Sequence, residues 1–226
     1  MNQKISMELK TIENYLKALF HLSNGNKTAV TNKELSAYLH FIPATVTETI
    51  KKLSDQDYVI YEKSYGTRLS PQGLKLAIEM VRRHRLWETF LVQELGFEWD
   101  EVHDIAEELE HIQNKKLISR LAEKLGHPHY DPHGDPIPDE KGKFLKTDFI
   151  LLANVRDKKQ YIIRQTLDHS KPFLDYLKEK NLLIGRKISI VKREMLDNSI
   201  TYKAGKEQDI ITETLSKKIV VEETGS

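Results

Sequence analysis

The sequence predicts a mainly α chain with β-structure, built as three successive parts. Three observations carry this reading. Two short helical runs joined by a tight turn lead into a hairpin within the first 70 residues. A helical periodicity then fills the middle of the chain. Beyond residue 148 the period changes to short β-like runs. The expected boundaries are 1–72, 73–146 and 147–226.

In the first part, Ile12, Tyr15, Leu16, Leu19, Phe20 and Leu22 follow helical spacing over residues 11–22, and a polar, Gly-containing break covers 23–27. Thr31 or Asn32 can cap a second helix over 33–40. Pro43 suits the first turn of a third helix to about residue 56, with Val46, Ile50 and Leu53 inward. Residues 58–63 read as a strand, 64–67 as a turn and 68–70 as the start of a return strand. Helix, turn, helix and hairpin in that order make a winged helix-turn-helix. Its third helix offers Thr45, Thr47, Glu48, Lys51 and Lys52, and its wing offers Lys63, Tyr65 and Arg68. Hydroxyls and cations of this kind reach phosphates and base edges, so double-stranded DNA is the expected partner.

The middle opens with a long helix over 72–95 that carries His84 and Glu88 one turn apart. Between Glu98 and Glu110 stand seven acids and no Lys or Arg. A second helix is expected from a cap at Asp100 to residue 113. On it, His103, Glu107, Glu110 and His111 fall within an arc of roughly 100°, opposite Val102, Ile105, Leu109 and Ile112. Like charges at helical spacing repel, and a divalent cation removes that cost. His84, Glu88, His103, Glu107, Glu110 and His111 are therefore candidate metal ligands. An amphipathic helix over 115–125 adds apolar surface suited to a homodimer interface.

Residues 127–142 are rich in Pro and Gly. His127, His129, Asp131, His133 and Asp135 are read here as part of a polar, turn-rich connector rather than as a second metal cluster. Short β-like runs follow at 149–155, 161–166, 187–191, 199–203 and 219–222, with one helix over 172–180. They form a small β-rich domain.

Composition narrows the chemistry. The chain has 226 residues, 39% hydrophobic, 31% charged and without cysteine. Disulfides, thiolate zinc sites, iron–sulfur clusters and Cys nucleophiles are excluded. Any metal must be held by nitrogen and oxygen. Residues 71–150 carry 11 Lys+Arg against 16 Asp+Glu, whereas residues 1–70 carry 9 against 7 and residues 151–226 carry 15 against 11. The acidic middle fits a cation site between basic modules. No signal-peptide pattern or membrane-length apolar run is present, so a cytoplasmic protein without a membrane partner is expected.

Two motifs carry a family resemblance: Arg83-His84-Arg85-Leu86-Trp87-Glu88, and Val102-His103-Asp104 leading to Glu107-Glu108-Leu109-Glu110-His111. With Thr11-Ile12-Glu13-Asn14-Tyr15-Leu16 and Gly134-Asp135-Pro136-Ile137-Pro138, they resemble the diphtheria-toxin-repressor family, strongly over residues 1–146 and loosely beyond. The resemblance implies a metal-dependent transcriptional repressor, not an enzyme. It implies activation by manganese(II) or iron(II) and homodimers on palindromic operators that control metal homeostasis. It also implies a C-terminal Src-homology-like β-barrel. Carried over by motif position, one site takes His84, Glu88 and His103. A second takes Glu107, Glu110 and His111 and reaches back to Asn14 on the first helix. Asp168 is the match for a further carboxylate from the barrel. Two departures stand out. The iron-responsive branch has Cys where Glu107 stands and Met where Asn14 stands. The manganese-responsive branch has Glu and Asp there, usually lacks the barrel, and places an acid where Lys17 stands.

Two other readings compete. Glu108-Leu109-Glu110-His111 is a Glu-x-x-His, as in di-metal carboxylate enzymes, but those need two such motifs and only one is present. A winged-helix regulator with an organic effector and an incidental acidic helix is the other.

Overall fold

The structure, a computed structural model, describes residues 2–156 and 158–224. The chain folds as two compact units. The first takes the chain through His84, with Glu108–Lys115 and Pro138–Lys143; the second takes Arg85–Glu107, Lys116–Ile137 and the chain from Phe144 on.

The first unit begins with α1 (Asn2–Leu22), α2 (Asn32–Leu39) and α3 (Pro43–Asp55). The start of α2 is fixed by a reciprocal cap. Thr31 Oγ1 accepts from the Glu34 amide at 3.2 Å, and Glu34 Oε2 accepts from the Thr31 amide at 2.7 Å. His40 ends the helix in the left-handed region at φ 56°, and Pro43 opens α3 as expected. Val46, Ile50 and Leu53 recur at helical spacing and are buried against Tyr15, Leu16, Leu19 and Leu35. Each such burial contributes about 1.5–3 kcal/mol.

The wing is the antiparallel pair β1 (Val59–Glu62) and β2 (Gly66–Leu69). Val30 adds a further rung, exchanging hydrogen bonds with Thr67 at 2.9 and 2.8 Å. The helix α4 (Pro71–Leu95) follows. Its Gly73 lies so near the hairpin that an added Cβ would stand 1.9 Å from the Tyr58 carbonyl oxygen.

The next helix differs from the sequence reading. Periodicity carries it to residue 113, but α5 spans only Val102–Leu109, and Glu110 and His111 stand in the turn beyond it. Two causes act together. The last turn of α5 carries no basic residue, so its carboxylates oppose the helix dipole. Glu110 is also drawn off the helix, because Arg83 Nε donates to its carbonyl at 2.6 Å while Lys17 and His84 hold its side chain. Asp100 does not cap α5 either; it pairs with Lys171 and Lys178. The helix α6 (Lys115–Lys124) is as expected.

The second unit holds a six-stranded antiparallel sheet. Its strands are β3 (Ile150–Leu151), β4 (Gln160–Thr166), β5 (Lys187–Arg193), β6 (Ile200–Ala204), β7 (Glu207–Ile211) and β8 (Ile219–Glu223), in the order β3-β8-β4-β5-β6-β7. The expected barrel is thus left open between β3 and β7 among the described residues. The run at 149–155 yields only two strand residues before a 3₁₀ turn, Leu152–Asn154. The edge strand β7 was invisible to hydrophobic pattern, since Glu207, Gln208 and Asp209 begin it. Two more helices, α7 (Lys171–Glu179) and α8 (Glu213–Ser216), lie between strands. Phe173, Leu174 and Leu177 of α7 pack with Tyr161, Ile163, Ile188, Tyr202 and Val221 into one core.

Candidate metal centres and nucleic-acid interface

Within the first unit, α1 supplies two charged residues to a face that is otherwise apolar. Lys17 Nζ lies 2.6 Å from Glu110 Oε2 and 3.3 Å from His84 Nδ1. His84 Nδ1 and Glu110 Oε2 are themselves 2.6 Å apart. A contact that short between ring nitrogen and carboxylate needs a proton between them. Glu110 is 0% exposed, and its other oxygen is buried without a hydrogen-bond partner among the described residues. Burial pushes the Glu110 carboxyl up, but the hydrogen bond from His84 and the charge of Lys17 outweigh it, so it stays below the ordinary carboxylate range.

One helical turn earlier, Glu13 is equally engaged. Its Oε1 accepts from Arg83 Nη2 at 2.6 Å and from Gln113 Nε2 at 2.8 Å, and its Oε2 lies 2.7 Å from His111 Nδ1. Asn14, the residue that the resemblance points to, is exposed. The residue of α1 that meets His111 is its neighbour Glu13. Periodicity sets Glu13 and Lys17, four apart, on one face of α1 but does not say what meets them there.

The second unit builds a group around Glu88, which is 1% exposed. Its Oε1 is 3.3 Å from His103 Nδ1 and its Oε2 is 3.6 Å from His133 Nδ1. Glu107 Oε1 reaches His103 Nε2 at 3.5 Å. Glu88, Asp131 and His133 each turn a ligand atom to a common point, these atoms lying within 4.8 Å of one another. His133 Nε2 lies 2.8 Å from the Trp99 carbonyl, to which it donates, leaving Nδ1 to face the carboxylates. That is the pattern of a metal-binding imidazole, with its far nitrogen anchored on a carbonyl. His133 Nδ1 and Asp131 Oδ2 are buried and have no hydrogen-bond partner among the described residues. Burial works against a charged His133, but Glu88, with Asp131 in support, overrides it and holds the imidazole up at about 9. Burial drives Asp131 well above the usual carboxylate range, and the charges of Asp135 and Glu88 push it the same way. One carboxylate oxygen and one imidazole nitrogen left without a hydrogen bond, beside the Glu88 carboxylate, fit a divalent cation.

The connector is turn-rich as expected, and the structure adds the burial of two of its residues. His127 and His129 are exposed, but Asp131 and His133 are buried with Glu88. The cause is local. Asp131 Oδ1 accepts from the amides of His133 and Asp135 at 2.8 and 2.9 Å and closes a tight loop. Gly134 at its apex has φ +83°, and a Cβ there would stand 1.8 Å from the Arg164 carbonyl oxygen. Asp168 is also placed otherwise than the resemblance implies. Its Oδ2 pairs with Lys218 at 2.5 Å, and its Oδ1 accepts from the Ser170 amide at 2.9 Å. The neighbouring His169 is the one that approaches the Glu88 group, stacking on His133 with ring centroids 4.4 Å apart.

For nucleic acid, Thr45, Glu48, Lys51 and Lys52 are exposed on α3, and Lys63, Tyr65 and Arg68 are exposed on the wing. Glu48 and Lys52 pair at 2.9 Å. Thr47 is already committed: its hydroxyl donates to the Pro43 carbonyl at 2.8 Å and accepts from Asn32 Nδ2 at 2.9 Å, which fastens α2 to α3. Arg68 Nη1 reaches the Lys27 carbonyl at 3.1 Å.

A winged helix sharing a compact unit with buried histidine–carboxylate groups has the plan of a ligand-responsive winged-helix protein. The comparisons agree. Residues 7–67 match the family described as iron dependent repressor, N-terminal DNA binding domain; 70–139 match the iron dependent repressor, metal binding and dimerisation domain; 150–223 match the FeoA domain. The diphtheria toxin repressor of Corynebacterium jeikeium is 27% identical over 161 residues, 70% of this chain and 62% of that protein. A probable metal transport system membrane protein of Chlamydia trachomatis is 47% identical over 75 residues, 33% of this chain and 17% of that protein. A manganese-dependent transcriptional repressor in complex with manganese superposes with a TM-score of 0.84, covering 94% of this chain and 100% of the other at 31% identity. The chain thus spans 62% and 17% of the length of the two curated relatives. It belongs to the iron-dependent repressor family, that of the diphtheria toxin repressor. Among the described residues no helix is long and apolar enough to cross a membrane.

Proposed function

We propose that the protein is a transcriptional repressor controlling metal homeostasis, a homodimer that grips operator DNA when manganese(II) or iron(II) occupies its histidine–carboxylate groups. One observation carries this reading: Glu13 and Lys17 of α1, the first helix of the winged helix, are in direct contact with His111 and Glu110. Metal candidates and DNA-binding fold are thereby joined inside one compact unit. His84, Glu110 and His111 would hold an ion there, and Glu88, Asp131 and His133, with His103 and Glu107 beside them, would hold one in the second unit. A bound divalent ion would bring its positive charge to these carboxylates and imidazoles. Whatever rearranges Glu110 and His111 must then reach α1, and through the shared core of Tyr15, Leu16, Val46 and Ile50 it reaches α3. By linkage, operator DNA tightens ion binding by the same factor that the ion tightens DNA binding. Three matched segments, 7–67, 70–139 and 150–223, support a division at 1–72, 73–146 and 147–226, and the cytoplasm, where operator DNA lies, is the site of action.

The test is anaerobic titration of chelated protein with manganese(II), iron(II) and zinc(II), each followed by a DNA mobility shift. Manganese and iron should activate binding above zinc, since oxygen donors favour the harder ions. DNA binding that ignores chelation would refute the reading. On the DNA side, Lys51→Ala and Lys63→Ala should weaken all sequences alike and reduce the salt slope by about one phosphate contact each.

A further inference from the structure

We propose that Lys17 is a built-in counter-cation of the His84–Glu110 group, which competes with the divalent ion for Glu110 and so sets how much metal the group demands. The inference rests on the metal-responsive reading above and adds to it the residue that opposes the metal. Lys17 is buried at 6% exposure on α1, with its ammonium 2.6 Å from Glu110 Oε2 and 3.3 Å from His84 Nδ1. A cation held between Glu110 and His84 through these facing atoms would need both of them. A lysine ammonium is a compact point charge on a flexible stem, so it can stand where a metal would stand.

Geometry makes the two occupants exclusive. A small divalent ion binds carboxylate oxygen at about 2.0–2.6 Å. An ion on Oε2 would therefore fall in the space that the Lys17 ammonium fills, and two like charges at that distance in a buried site repel strongly. For the ion to enter, Lys17 must swing away. The way out is short: Asn14 and His21, three before and four after Lys17 on α1, are both exposed, so a change of rotamer brings the ammonium to the surface. Before metal arrives, Lys17 neutralises Glu110 and spares it a bare buried charge. A simple structural ion pair would do that as well, but it would not weaken metal binding.

The two roles separate in full-length Lys17→Met, Lys17→Gln and Lys17→Arg, measured against wild type. Melting temperature is read in excess chelator, and manganese(II) affinity by anaerobic calorimetry. In chelator, Lys17→Met and Lys17→Gln should melt below wild type, because Glu110 has lost its counter-charge. Both should bind manganese roughly tenfold more tightly, within the ordinary range of coupling between sites, and should gain more melting temperature from it than wild type does. Lys17→Arg should stay near wild type. Lys17→Met that folds only when manganese is present supports the proposal in the same way. Equal or weaker manganese affinity in Lys17→Met and Lys17→Gln, while wild type binds, would overturn it and leave the metal-responsive reading intact. Folded wild type and variants that bind neither manganese nor iron(II) would overturn both.

Discussion

The two units solve the same electrostatic problem in opposite ways. In the first, each buried carboxylate has a resident base: Lys17 for Glu110 and Arg83 for Glu13, each at 2.6 Å. In the second, Glu88 stands between two imidazoles at 3.3 and 3.6 Å, and Arg85 approaches Asp131 only to 3.6 Å. There the charge is managed by protons: His133 is held up at about 9 and Asp131 is driven well above the carboxylate range. A group neutralised by its own side chains holds together unaided, and an ion must displace something to enter. A group neutralised by protons releases protons as an ion enters. Lysine and proton are thus two placeholders for the same class of cation.

The largest expected effect breaks the first arrangement. Glu110→Ala removes the carboxylate that Lys17 and His84 both contact. Losing one partner of a buried pair costs about 3–5 kcal/mol. Urea unfolding in chelator should show that loss, and manganese should not restore it, since the carboxylate is gone. A cost under 1 kcal/mol would mean that the pair adds little to stability, and the contrast between the units would collapse.

The next effect breaks the second arrangement. Gly134→Ala drives a methyl against the Arg164 carbonyl and forces an L side chain to φ +83°. Such overpacking costs about 3 kcal/mol. It should also dislodge the loop that carries Asp131 and His133 and weaken the manganese binding supplied by the second unit. Calorimetry on Gly134→Ala beside Glu110→Ala would assign each binding event to its unit. A Gly134→Ala protein with unchanged stability and full stoichiometry would show that the loop does not hold the Glu88 group.

How far the sequence could be read follows from the same contrast. Periodicity and turn chemistry are local, so the winged helix was legible down to Pro43 at the head of α3 and the inward Val46, Ile50 and Leu53. The helix positions of His84, Glu88, His103 and Glu107 were legible because their helices hold. Glu110 and His111 were legible as a carboxylate and an imidazole but not in position, since tertiary partners pull them off the end of α5. Asp131 and His133 were hidden by their prolines and glycine: a turn-rich stretch gives no period, and what buries them is the backbone of β4, thirty residues later. Glu13 and Lys17 were hidden because helical spacing says which face a residue occupies and not what meets it there. The strand β7 was hidden by its polar start at an open sheet edge.

The smallest expected effect sharpens the comparison by setting a partly exposed pair beside the buried ones. Hydrogen bonds from Lys171 and Lys178 of α7 hold the Asp100 carboxyl down at about 2, against an ordinary 3.8. A depressed folded value means that this contribution is fully present above 3.8 and is lost as the pH falls through about 2. Lys171 is 64% exposed, so solvent screens the pair and its contribution is small. Asp100→Asn should therefore lower stability slightly at neutral pH and flatten the acid limb between those two values. Urea midpoints at a series of acid pH values measure this, and about 1 M salt should erase most of the difference between variant and wild type. The buried pair of Lys17 and Glu110 should keep most of its effect in the same salt, because water and ions reach it poorly. If salt screened the loss in Glu110→Ala as fully as the loss in Asp100→Asn, burial would not be what separates the two classes of pair, and Lys17 could not act as a placeholder inside a metal group.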